Sequence, residues 1–96
     1  MFAHHVAIQA TSPDAARELC HHIEQFWSYS PAPGFIHGVC TVEVNNPRSV
    51  HVLSLWGSLA ASQTWESSSA RQLLIQEVMH LTEGPQAWKR TIYQQV

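Results

Sequence analysis

Charge is what this sequence has least of. Charged side chains are 12% of its 96 residues, about half the usual share. The five basic residues include a single lysine, Lys89, and the net charge is −2 with neutral histidines. No basic stripe exists to neutralise phosphates, which argues against a nucleic-acid partner. So few ions also leave little solvated surface, so part of the surface is expected to be hidden in an assembly.

Long apolar runs are missing too. None approaches the roughly 20 residues a bilayer crossing needs, and Met1–His5 shows no basic region followed by an apolar stretch, so neither a membrane partner nor a secretory signal is expected. Cysteine is scarce: Cys20 and Cys40 stand alone, without CxxC spacing. They read as two reduced thiols in a cytoplasmic protein, with a disulfide or a catalytic thiol as the alternative. There is no GxSxG, P-loop or dinucleotide fingerprint, no HExxH and no internal repeat.

Periodicity supplies what is present. Phe2–Ala10 alternates with period two, placing His4, Val6 and Ile8 on one face, and reads as a strand. Ser12-Pro13-Asp14 is a helix start: an N-cap, a proline at the first position and an acid at the positive end of the dipole. Ala16, Leu19, Cys20, Ile23, Phe26 and Trp27 then follow at helical spacing, to about Tyr29. Ser30–Gly34 is a breaker. Phe35–Val44 and Ser49–Trp56 read as strands joined by an Asn45–Arg48 turn. Ser58 caps a short helix over Leu59–Glu66. The serine triplet 67–69 interrupts it and recaps a second stretch, in which Ala70, Leu73, Leu74, Val78 and Leu81 form an apolar stripe. Gly84-Pro85 stops that stretch, and Ala87–Gln95 is a last strand.

These elements make one domain over residues 1–96, α+β in class, with the ferredoxin-like order βαββαβ: a four-stranded antiparallel sheet with helices on one face. The other face is bare unless a partner covers it. At this size folding buries only about 60–65% of the unfolded chain's surface, so pairing two sheets would add core.

Trp56-Gly-Ser-Leu-Ala-Ala-Ser-Gln-Thr-Trp65-Glu-Ser67 is the most distinctive segment. A strand ending in tryptophan, a serine cap, alanines in the first turn, then an aromatic and a serine resemble the antibiotic biosynthesis monooxygenase (ABM)-like superfamily. Pro33-Gly34-Phe35, leading into the second strand, and the element order over nearly the whole chain resemble it as well. The resemblance implies a homodimeric α/β barrel with two sheets packed face to face. It implies a pocket between helices and sheet, and activities that include cofactor-free oxidation of polyphenols and quinols and, in other members, haem degradation. Trp65 matches the pocket tryptophan of the active members. Where they carry an asparagine on the first strand, this chain has His4. Where haem-degrading members carry an axial histidine, it has Ile75, whose alkyl side chain cannot ligate iron.

Each candidate has a plainer reading beside the functional one. Trp65 is either a stacking wall for a planar aromatic molecule or a core anchor of its helix. His4 is either a base near neutral pH or an idle strand-end histidine. Phe26, Trp56, Leu73 and Leu74 are expected around Trp65, as pocket lining or as filling. Glu66 and Arg71 are expected to be solvated ions. Trp27, Tyr29, Trp88 and Tyr93 are expected in the core or a dimer interface. The seven histidines form no three-ligand set, so no metal is expected: His4 and His5 point to opposite faces of a strand, and His21 and His22 diverge by about 100° on a helix. His37 and His51 are expected on central strands, towards the barrel interior. No cofactor is expected. Two functions follow: a cofactor-independent monooxygenase acting on a planar phenolic or quinol-like molecule, or a small-molecule-binding or structural dimer without turnover.

Overall fold

The computed structural model describes residues 1–29 and 31–95; Ser30, at the start of the expected breaker, lies outside them. Four strands, β1 (Phe2–Gln9), β2 (Phe35–Glu43), β3 (Asn46–Trp56) and β4 (Trp88–Gln94), form one antiparallel sheet in the order β2-β3-β1-β4. Three helices, α1 (Pro13–Tyr29), α2 (Leu59–Glu66) and α3 (Ser69–Val78), join them in the ferredoxin-like βαββαβ order. No helix of the described residues is long and apolar enough to cross a membrane.

Local chemistry explains the boundaries. The Ser12 hydroxyl accepts from the Ala15 amide at 3.0 Å and starts α1. Ser58 accepts from Ala61 at 3.1 Å and starts α2. Ser68 accepts from Arg71 at 3.2 Å and starts α3. Each cap supplies an acceptor for a helix-end N–H that has no partner within its helix. Three boundaries differ from expectation. The stretch expected to run on to Gly84 is α-helical only to Val78, and a 3-10 turn at Met79–Leu81 follows it. The stretch expected as an Asn45–Arg48 turn belongs mostly to β3, which begins at Asn46, because Glu43 pairs directly with Asn46 across a tighter hairpin. The last strand starts after a 3-10 turn at Pro85–Ala87 rather than at Ala87, since Pro85 has no amide hydrogen to donate to a ladder.

The sheet's two faces differ as alternation demands. On the helix side His4, Val6, Ile8, Val50, Val52, Ser54 and Trp56 are buried. Leu19, Ile23 and Ala16 of α1 and Leu74 and Val78 of α3 close over them. On the other side Val39, Leu53 and Tyr93 remain exposed, with the His5 and His51 rings stacked 5.0 Å apart and bonded through Nε2 and Nδ1 at 2.8 Å. His51 thus takes the outer face, but β2 is an edge strand, so His37 is peripheral and exposed rather than central. Tyr29, expected in a core or interface, is 81% exposed at the end of α1.

Two glycines are required by close approach. Gly34 has φ +83°, and a Cβ there would lie 2.5 Å from the Ala61 Cβ. Gly38 lies under the Trp27 ring, where a Cβ would come within 2.3 Å of an indole carbon. Trp27 also packs on Phe35 at 5.2 Å, so the indole cannot simply withdraw. Gly38→Ala is expected to destabilise the fold by about 1–3 kcal/mol through overpacking, read as a lower urea midpoint with an unchanged slope. A midpoint equal to wild type would show that Trp27 relocates freely.

Candidate functional site

A cavity opens between the helix side of the sheet and the layer of α1 and α3. Its free space for the centres of water molecules is about 40 Å³. The walls are apolar: Val6, Ile8 and Val52 below, Ile23 and Trp27 of α1, Leu74, Ile75 and Val78 of α3, with Trp65 and Trp88 at the ends. Three polar side chains break this lining, His4, Ser54 and Arg71. An apolar chamber with a few convergent polar groups is the usual form of a small-molecule site. On the far side of Trp65 an outer cleft of about 430 Å³ is lined by Pro31–Pro33, Ala61, Thr64, Ser68 and Ala70. Trp65 therefore stands as the partition between cleft and chamber.

Helix caps set this geometry. α2 ends at Glu66, Ser67 closes it through its amide to the Gln63 carbonyl, and Ser68 begins α3 at once. The corner places Trp65 and Glu66 at the end of one helix beside Arg71 in the first turn of the next. Trp65 is wedged there, 5.5 Å from Phe26 and 6.2 Å from Trp56 between ring centroids. The Trp56 indole N–H donates to Ser54 at 2.9 Å, and the Ser54 hydroxyl donates to the His4 carbonyl at 3.5 Å.

His4 is 3% exposed. Its Nε2 lies 2.9 Å from Glu66 Oε1, off the line of a good hydrogen bond, and neither atom has another partner among the described residues. Glu66 is also 3.4 Å from Arg90. Burial lowers the His4 pKa below its usual value; the Glu66 carboxylate opposes that, while Arg71 and Arg90 reinforce it. The ring is therefore neutral at pH 7. With the Glu66 carboxylate facing Nε2, the favoured tautomer carries its proton there and leaves Nδ1 as the acceptor. Arg71 is half-buried, and that burial lowers its affinity for a proton. The one hydrogen bond of its guanidinium among the described residues, to the Glu66 carbonyl, is long at 3.5 Å.

Of the residues singled out from the sequence, His4, Trp65 and Leu74 line the chamber. Phe26 and Trp56 do not reach it; they hold Trp65 from behind. Leu73 is a correction: it is 59% exposed, because one residue turns a helix by about 100° and Leu74 and Val78 take the inner face. Glu66 and Arg71 are corrected in the opposite direction. Glu66 is 17% exposed and touches the buried imidazole, and Arg71 is chamber wall. A charged residue at a helix junction reads as solvated until the turn of the chain is known. Trp27 and Trp88, expected only as core or interface aromatics, are walls as well. No group of three or more His, Cys, Asp or Glu side chains suited to a metal ion occurs among the described residues.

Solved structures share this fold over nearly their whole length. A candidate antibiotic biosynthesis monooxygenase from Bordetella bronchiseptica superposes with a TM-score of 0.82 at 13% identity, over 99% of this chain and 96% of that one. Another from Deinococcus radiodurans gives 0.78 at 23% identity, over 100% and 93%. SnoaB, a cofactor-independent oxygenase from Streptomyces nogalater, gives 0.77 at 10% identity, over 99% and 92%. No protein-family model and no curated protein matches the sequence. The chain has the ABM-like fold from end to end.

Proposed function

We propose that this protein is a cofactor-independent monooxygenase of the ABM type, acting in the cytoplasm as a homodimer on a planar phenolic or quinol-like molecule. One observation carries the reading: a buried, neutral histidine, braced by a carboxylate, opens on the same chamber as a tryptophan face and a half-buried arginine. The neighbours named as monooxygenases share the fold, which sets a prior but not a reaction.

Each residue has a role in such a reaction. The indole of Trp65 stacks on the substrate ring. His4 removes the phenolic proton, and Glu66 stabilises the resulting imidazolium. Arg71 offsets the charge of the phenolate. The electron-rich anion then supplies the electrons. A ring carbon bearing hydrogen bonds to one atom of O2, the other oxygen takes up protons, and the O–O bond breaks to leave a carbonyl on the ring and one water. The balance is phenol plus O2 giving quinone plus water. Apolar walls keep bulk water from the anion.

Support for the dimer lies on the outer sheet face, where Val39, Leu53 and Tyr93 are exposed together and the whole chain carries few charges. A second reading, a dimer that binds a small molecule without turnover, draws on the narrowness of the chamber. About 40 Å³ holds no more than a few waters, so a ring must displace Trp65 towards the outer cleft to enter.

The test is oxygen consumption with a panel of quinols and anthrones. Wild type is expected to consume O2 with at least one of them and to form the quinone. Trp65→Ala is expected to reduce kcat/KM by at least 10-fold through lost stacking, about 1.4 kcal/mol or more. No uptake by wild type across the panel removes the enzyme reading and leaves the binding one.

A further inference from the structure

The chemistry just proposed makes no use of the cysteines, yet the fold brings them together. Cys20 projects from the second turn of α1 and Cys40 from the helix side of β2, opposite Val52. Their Sγ atoms lie 2.8 Å apart, so no side chain comes between them. Both are partly exposed, within reach of a small solute. We propose that Cys20 and Cys40 are a site of oxidative modification, a dithiol that a peroxide closes into an intramolecular disulfide fastening α1 to β2.

The geometry assigns the two sulfurs different parts. Cys40 donates to Cys20, which holds the Cys20 thiol below its ordinary pKa, whereas the same contact, reinforced by burial, pushes Cys40 up. Cys20 is therefore the attacking thiolate. It takes one oxygen of hydrogen peroxide as the O–O bond breaks, giving a sulfenic acid and water. The Cys40 sulfur, losing its proton, then displaces the hydroxyl as a second water. The sum is two thiols plus H2O2 giving one disulfide plus two waters. Moving the sulfurs from 2.8 Å to the bonded separation of about 2.05 Å asks for less than 1 Å of travel. A thiol reductant reverses the step by exchange.

Closure bears on the chamber because Cys20, Ile23 and Trp27 stand on neighbouring turns of α1, and the latter two are chamber wall. Fastening Cys20 to β2 fixes that wall to the sheet.

The experiment is intact-mass measurement of the wild-type chain, reduced and then treated with stoichiometric hydrogen peroxide and alkylated with iodoacetamide. The expected product is a monomeric chain 2 Da lighter that takes up no alkyl group and melts roughly 10 °C above the reduced form. Cys40→Ser is expected to stop at a Cys20 sulfenic acid that dimedone traps, and Cys20→Ser to react far more slowly. Two alkyl groups on peroxide-treated wild type, or a disulfide only between chains, overturns the proposal. The wild-type result stands even if a variant fails to fold, and it is independent of any oxygen-consumption assay.

Discussion

Trp56→Ala is expected to cost about 3–5 kcal/mol of folding stability, the range for emptying a buried tryptophan site. A domain of this kind has only about 5–15 kcal/mol in all. Trp56 is 0% exposed at the end of β3. It meets Phe35 edge-on at 5.5 Å and stacks on Trp65 at 6.2 Å. Its indole N–H satisfies the buried Ser54 hydroxyl at 2.9 Å. Truncation opens a hole under the partition of the chamber and removes the donor to the buried Ser54 oxygen, leaving that hydroxyl only its long bond to the His4 carbonyl. Thermal unfolding checks it: Tm should fall by more than roughly 10 °C. The paired control is Leu73→Ala, which should stay within about 0.5 kcal/mol of wild type because Leu73 faces solvent. Equal losses in the two variants would contradict the placement of both residues.

His4→Gln is expected to lower kcat by about 10²- to 10⁴-fold on any substrate that wild type oxidises, the usual worth of a positioned base. Glutamine keeps much of the volume and offers an N–H towards Glu66, so folding should survive and the loss should report proton abstraction. The pH dependence of the wild type gives a second readout. Burial is the main reason the His4 pKa lies below its usual value, with Glu66 pulling the other way. The free base is the working form, so kcat/KM should rise with pH through that lowered pKa and be level above pH 6.5. Stability follows the same sign. The unfolded chain takes up a proton near pH 6.5 and the folded chain only at lower pH. Stability should therefore be full above about pH 6.5 and decline as pH falls from there through the folded pKa. A kcat for His4→Gln equal to wild type would remove His4 as the base while leaving the fold and the cavity untouched.

The contrast between these two residues shows what a linear reading can reach. His4 is legible from alternation, because it falls on the parity of Val6 and Ile8 in its strand, whereas Trp56 is legible only as the end of its strand. Ser58 and the serine triplet 67–69 announce two helix starts through cap chemistry that acts within three residues. Such signals are local, and local signals survive in a sequence without its fold. Glu66, Arg71 and Cys40 fall outside that reach. Glu66 and Arg71 look like solvated ions until the corner at Ser67–Ser68 turns them towards β1. Cys40 acquires a partner only when β2 pairs with β3 under α1.

The order of strands and helices, the buried parity of the first strand and the capped helix starts follow from the sequence alone. Those depend on period and on side chains a few positions apart. Tertiary structure alone decided that a glutamate and an arginine face a histidine, that Leu73 turns outward while Leu74 turns in, and that two cysteines twenty residues apart touch. Burial and electrostatic coupling depend on distance in space, and the chain's spacing does not encode it.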